Sequence, residues 1–314
     1  FTLAPVPGAI ASLGARPVFV DVTEDLTIDL PHLEVQAKAS GARVLLLSHM
    51  RGHVCDMEAL IALCDRLGVR VVEDCAHTMG AKWKGGAVGC YSTQTYKHMN
   101  SGEGGFLVTD DADLAARAVL LSGSYMLYAR HRAAPAAEVF EALKLEVPNI
   151  SSRMDNLRAA ILRPQIGMLD DRRSRWRALY QAMEAGLAGV PGVRLIPRPQ
   201  AEDYVGSSFQ FLLPGWEPAR VASFVAGAAA RGVELKWFGA ADPAGFTSRY
   251  AHWRYAAPEP LPATDRVLAG LIDMRLPLTF SVGDVAQIAR IVGDEAGRAA
   301  AAVSVAPVAA PVAD

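Results

Sequence analysis

The stretch from residue 42 to 74 constrains the fold most. Two short apolar runs, ARVLLLSHM (42–50) and VRVVED (69–74), bracket a helix-patterned segment, DMEALIALCDRLG (56–68). The runs are nearly continuous in Val and Leu, as in parallel strands covered on both faces. Between them Asp56 is placed as an N-cap, and Leu60, Leu63, Cys64 and Leu67 make one apolar face. Gly68 then supplies the stop. Parallel strands need a long crossover, and this helix provides one. PVFVDV (17–22) and GFLVTD (105–110) read as further strands, and a second helix is expected from Asp110 or Asp111 to Gly123. The implied class is α/β, with a doubly wound, mostly parallel sheet.

Downstream, residues 155–187 form a long helical pattern rich in Arg and Ala, kinked or divided at Pro164. After the turn-rich VPGVRLIPRP (190–199) the pattern restarts as a smaller α/β unit. There FQFLL (209–213) and VELKWF (233–238) read as strands, EPARVASFVAGAAARG (217–232) as a helix, and a closing helix is expected at about 284–293. The sequence therefore predicts a large domain over 1–189, including the 155–187 helix, and a smaller C-terminal domain over 190–297. Residues 298–314 read as a low-complexity Ala/Val/Pro tail. With 51% hydrophobic and 20% charged residues, the chain can build a sizeable core. It opens on Phe1, not Met, which reads as a longer protein entered partway, its N-terminus truncated.

Formal charge is −2 without a basic tract, which argues against nucleic-acid or anionic-membrane binding. No apolar run approaches the roughly 18 residues of a membrane span, and no signal peptide is visible. Cys55, Cys64, Cys75 and Cys90 form no C-x-x-C pair and lack zinc spacing. Free thiols in a reducing cytoplasm, and no metal, are expected.

The chemistry concentrates in VVEDCAHTMGAKWKGGAVGCYSTQTYKHMNSGEGG (71–105). Asp74 falls where a buried strand ends, and open α/β sheets place ligands at the carboxyl ends of their strands. Taken singly, Asp74 is equally an N-cap, His77 a satisfied buried histidine and Lys97 a solvated surface charge. Yet Ser92 lies five residues before Lys97 and Gly102 five after it, followed by Gly104 and Gly105. Ser92 could donate to a phosphate, and the glycines permit tight turns beside a ligand.

The joint arrangement resembles the DegT/StrS family of pyridoxal 5'-phosphate (PLP)-dependent sugar aminotransferases, a branch of the aspartate-aminotransferase fold (fold type I). That family carries E-D-x-A-(H/Q)-x-x-G, then S-F-x-x-x-K-x-x-x-x-G-E-G-G. Here the first motif is Glu73-Asp74-Cys75-Ala76-His77-Thr78-Met79-Gly80. The second runs from Ser92 through Lys97 to Gly102-Glu103-Gly104-Gly105. GARPVFVDV (14–22), HMRGHVCDM (49–57), SRMDNLRAA (152–160) and RLPLTFSVGDVAQI (275–288) extend the likeness to about residue 293.

The resemblance implies that Lys97 holds PLP as a Schiff base and moves the proton between substrate Cα and cofactor C4'. It implies Asp74 on the pyridine nitrogen, His77 beside the ring and its 3'-oxygen, and Ser92 on the phosphate. The family's Asn that reaches the phosphate across a homodimer interface sits in N-Y-R-M. Here the segment is Asn149-Ile150-Ser151-Ser152-Arg153-Met154. Ser151 takes the Asn place by register, whereas Asn149 supplies its chemistry with a looped backbone. The family's Gly-Thr phosphate turn would lie upstream of residue 1, and its ring-stacking aromatic aligns with Leu3, two positions after Phe1.

On the substrate side, WFGAADPAGFTSRYAHWRY (237–255) departs from the family's Y-x-x-P-L-H-x-Q pattern. It reads either as a substrate-closing lid or as surface packing. Arg153, Trp237 and Arg249 are candidate substrate contacts, since arginines suit carboxylates and phosphates. The reaction expected is amino transfer from an amino acid, Glu or Gln, to a keto group of a sugar-like acceptor. Alternatives are a PLP-dependent elimination or dehydratase reaction and a non-enzymatic PLP-binding regulator. Family dehydratases carry His where Lys97 stands, and a nicotinamide dehydrogenase would need a G-x-G-x-x-G that is missing after the first strand.

Overall fold

A computed structural model describes residues 1–79, 85–124, 127–198, 204–245 and 247–303. Gly80 of the first motif, Pro199, Phe246 and the tail beyond 303 lie outside the described residues. The first half of the chain runs α1 (Pro5–Ser12), α2 (Leu30–Ser40), β1 (Val44–Ser48), α3 (Met57–Leu67), β2 (Arg70–Asp74), β3 (Val88–Ser92), β4 (Gly105–Val108), α4 (Ala112–Leu121) and α5 (Ala137–Leu143). The second half runs α6 (Asn156–Ile166), α7 (Leu169–Leu187), β5 (Arg194–Leu195), β6 (Ser208–Leu212), α8 (Pro218–Ala230), β7 (Lys236–Trp237), α9 (Pro262–Gly270), β8 (Leu271–Arg275) and α10 (Val282–Val303). Two compact units emerge: one is Glu34–Arg172 with Tyr204 and Val205, the other holds the chain before and after it.

The Glu34–Arg172 unit is built on a sheet of order β1-β2-β3-β4, parallel except for β4, which runs antiparallel to β3. The β1–α3–β2 crossover follows the sequence reading closely. Asp56 caps α3 by accepting the Ala59 N–H at 3.0 Å. Gly68 closes the helix at φ 64°, a left-handed conformation that favours glycine. Leu60, Leu63 and Cys64 are buried along its inner face. Asp111 caps α4 in the same way through the Leu114 N–H. Phe140, Leu120 and Ala116 pack α4 on α5. Pro164 lies inside α6, and the helix ends at Ile166, so the long helical pattern is divided.

The other unit carries an antiparallel sheet of order β5-β6-β8-β7. Its core is aromatic, with Tyr180 on Phe209 at 4.7 Å and Phe211 edge-on to Phe224 at 6.3 Å. Gln210 and Asp273, fully buried and opposed on β6 and β8, satisfy each other at 2.7 Å. The expected strand at 17–22 does not form: the segment is extended but joins no ladder beyond a single bridge, Val22 to Ile28. Its polar groups are taken by residues outside any sheet instead. Asp21 donates its N–H to His32 Nδ1, and its carboxylate accepts the Thr264 N–H and hydroxyl. The closing helix also runs further than expected, to Val303.

All four cysteines are free thiols. Burial pushes Cys75 up to about 11 and Cys55 up to about 12, because a low-dielectric surrounding disfavours the thiolate. Near neutral pH both are therefore protonated in the native fold. At about pH 8, iodoacetamide should modify Cys55 and Cys75 at least about tenfold more slowly in native than in urea-unfolded protein. The native rate should climb only as pH approaches the raised values. Separately, Asp56→Ala should lower the urea-unfolding free energy by about 1 kcal/mol through loss of the cap.

Candidate active site

The site begins with strand register. Ser48 and Asp74 are direct partners across the parallel β1–β2 pair, so their side chains leave the same face at the carboxyl end of the sheet. Ser48 Oγ donates to Asp74 Oδ2 at 2.8 Å, and the Ala76 N–H donates to Oδ1 at 3.1 Å. Asp74 is thus no helix cap: residues 75–79 carry no helix, and the carboxylate is held by a hydroxyl and a turn amide. Glu73 points to the opposite face, fully buried. It meets His49 Nε2 at 2.8 Å and accepts the Gly86 N–H. Cys75 lies close by, its ligand atom within 4.8 Å of those of His49 and Glu73. Burial, with Cys75 next to it, raises the Tyr91 phenol.

Lys97 is brought in by a loop between β3 and the antiparallel β4. The Thr93 N–H donates to Gly104 O, and the Thr95 N–H to Gly102 O, both at 2.9 Å, zipping the loop base. The Ser101 hydroxyl ties it to the Thr93 side chain at 3.0 Å. The glycines are required by shape here. Gly104 sits at φ 127°, and a Cβ on Gly105 would fall 2.4 Å from Tyr91 O. At the tip, the Lys97 N–H closes a turn on Gln94 O, and Nζ reaches His77 Nε2 at 3.1 Å. A protonated amine only donates, so when Lys97 carries its proton Nε2 is the acceptor of this contact. His77 is buried and follows Asp74 by three residues, so one short turn links the Lys97–His77 cluster to the end of β2.

Ser92 ends β3 beside this cluster. Its Oγ accepts the Gln94 N–H at 3.3 Å, which leaves the hydroxyl proton to donate to a ligand. The residues therefore fit PLP chemically: an amine for its aldehyde, a carboxylate for its ring nitrogen and a hydroxyl for its phosphate.

The remaining sequence candidates make local contacts of their own. Asn149, Ser151 and Arg153 form an exposed cluster on the Gly123 turn. Asn149 Oδ1 accepts the Ser151 N–H at 2.9 Å, Ser151 takes φ 53°, and Arg153 donates to Gly123 O at 2.8 Å. Trp237 and Arg249 belong to the other unit. Trp237 donates to Ala269 O at 2.8 Å, and Arg249 pairs with Asp265 at 3.0 Å, so each has a packing role in its own unit. Phe1 is edge-on to Phe238 at 5.3 Å. Sequence reasoning missed Ser48. Aligning the ends of the two apolar runs, Ser48-His49 against Asp74-Cys75, would have placed it opposite Asp74.

The model of the DegT/DnrJ/EryC1/StrS aminotransferase family matches residues 1–293. The dTDP-3-amino-3,4,6-trideoxy-alpha-D-glucose transaminase of Streptomyces venezuelae is 35% identical over 60% of this chain and 48% of its own length. A putative L-glutamine:3-amino-2,3-dideoxy-scyllo-inosose aminotransferase of Micromonospora echinospora is 28% identical over 75% of this chain and 56% of its own. The chain thus spans about half the length of these curated relatives. Among solved structures, S. venezuelae DesV in complex with a ketimine intermediate superposes with a TM-score of 0.74 at 27% identity. That match covers 94% of this chain and 76% of DesV. The fold is that of the fold type I PLP-dependent aminotransferases, and the chain belongs to the DegT/DnrJ/EryC1/StrS aminotransferase family.

Proposed function

We propose that this chain carries the PLP-binding centre of a sugar aminotransferase, with Lys97 as its catalytic residue. The observation that carries the reading is the Lys97–His77 contact at 3.1 Å, on a loop that delivers the amine to the strand end bearing Asp74. When bound, PLP supplies an electrophilic aldehyde and a ring that accepts electrons. Lys97 would present an uncharged amine to hold the cofactor, and His77 Nε2, 3.1 Å away, is placed to take a proton from Nζ. At the reacting centre Lys97 would hold and return a proton at Nζ, as both base and acid. Asp74 would hold the ring nitrogen as a charge-assisted partner, and Ser92 would donate to the phosphate.

The amino donor in this reading is Glu or Gln, and the acceptor is a keto group on a sugar-like ring. The named activities of the two curated relatives support it. Arg153, Trp237 and Arg249 remain candidate substrate contacts. A reducing, cytoplasmic setting suits the four free thiols. Among the described residues no helix is long and apolar enough to cross a membrane.

The partner in the same reading is a second copy of the chain. Leu157 and Ile161, one turn apart on α6, are 72% and 44% exposed, and Ile150 nearby in sequence is 62% exposed. Unpartnered apolar side chains at this density favour an interface. The exposed Asn149 and Ser151 would then face the neighbouring copy's phosphate.

Mixing the PLP-loaded protein with Glu or Gln should convert the bound cofactor to pyridoxamine phosphate, detected chromatographically. Lys97→Ala should lower that rate by three or more orders of magnitude, and Asp74→Asn by about two or more. A bound cofactor that no amino acid converts would point to elimination chemistry instead. Leu157→Glu should shift the sedimenting species from dimer to monomer, whereas an unchanged dimer would count against α6 as the interface.

A further inference from the structure

We infer that Ser48 is a positioning residue for Asp74, fixing the carboxylate at the angle from which it meets the ring nitrogen of the cofactor. The inference rests on the PLP reading above and goes beyond it, because Ser48 lies outside the motifs that carry that reading.

The geometry is specific. A carboxylate at a strand end can turn about two side-chain torsions, and a single hydrogen bond leaves one of them loose. Asp74 has two donors on different oxygens: the Ala76 amide on Oδ1 and the Ser48 hydroxyl on Oδ2. The amide comes from Asp74's own turn and moves with it. Ser48 is the external anchor, since it belongs to the adjacent strand and its backbone is fixed by the Val44–Ser48 ladder against Arg70–Asp74. A carboxylate has about four acceptor positions, so two remain for a protonated ring nitrogen. Both residues are half-buried, so the bond is only partly open to competition from water. Glu73 and His49 anchor the same two strand ends from the opposite face. That leaves the Ser48 hydroxyl as the contact that sets the direction of the Asp74 side chain itself.

A serine that merely capped the strand would affect every ligand of the site alike. A positioning serine acts through the ring nitrogen. The test measures dissociation constants by equilibrium dialysis for PLP and for an analogue whose ring nitrogen is replaced by carbon, using the full chain. Ser48→Ala should weaken PLP binding about tenfold, the worth of one hydrogen bond to a charged group. It should leave the carbon analogue within about twofold of its wild-type value, and Ser48→Thr should restore PLP binding. Ser48→Val and Ser48→Thr share one shape and differ by a hydroxyl, so they repeat the comparison should the alanine variant not fold. Unchanged or tighter PLP binding in Ser48→Ala, or equal losses for both ligands, would overturn the inference and leave the PLP reading standing. Wild-type protein that takes up no PLP would overturn both.

Discussion

The in-register parallel pairing of β1 with β2 puts Ser48 beside Asp74 and His49 close to Glu73 at one end of the sheet. Both strands must end together for this to happen, and the α3 crossover sets where β2 begins. Its length is fixed by an aspartate cap at one end and a left-handed glycine at the other. A one-residue slip would turn Asp74 to the opposite face and bring Glu73 to the site. The placement of Asp74 therefore depends on a helix outside the strand pair itself.

Alternation along β2 gives the two acidic neighbours different work. Glu73 is fully buried and offsets its burial by accepting from the Gly86 N–H and pairing with His49 Nε2, which ties strand, loop and neighbouring strand together. Asp74 stays half-buried, with acceptor capacity left over for a ligand. Lys97 reaches this edge because β4 turns back antiparallel to β3, which makes the intervening loop a closed hairpin. Gly104 and Gly105 let that hairpin close against Tyr91 and Thr93. The Lys97 amine is thus placed by backbone pairing, with His77 Nε2 at 3.1 Å from it.

Much of this was legible in the sequence. The 56–68 helix with both its caps, the strands at 44–48 and 70–74 and the break after Pro164 all carried local signals. PVFVDV misled because its apolar run is genuine while its hydrogen-bonding groups go to His32 and Thr264, residues far along the chain or across a turn. Neither β3 nor β8 announced itself. Val88–Ser92 is short, with glycine, cysteine and serine at three of its five positions, and Leu271–Arg275 follows α9 directly with no loop between. At the site, motif spacing marked Asp74, His77, Ser92 and Lys97. Only tertiary register could pair Ser48 with Asp74, because the two are 26 residues apart and neither alone is unusual.

The central claim is that Lys97 is the residue that binds PLP covalently. The most direct measurement is borohydride reduction of the PLP-loaded protein followed by proteolysis and mass spectrometry of every lysine-containing peptide. The account predicts a phosphopyridoxyl group on Lys97, at close to one per chain, and none on the other lysines. Modification centred on a different lysine, or its complete absence after loading, would contradict it.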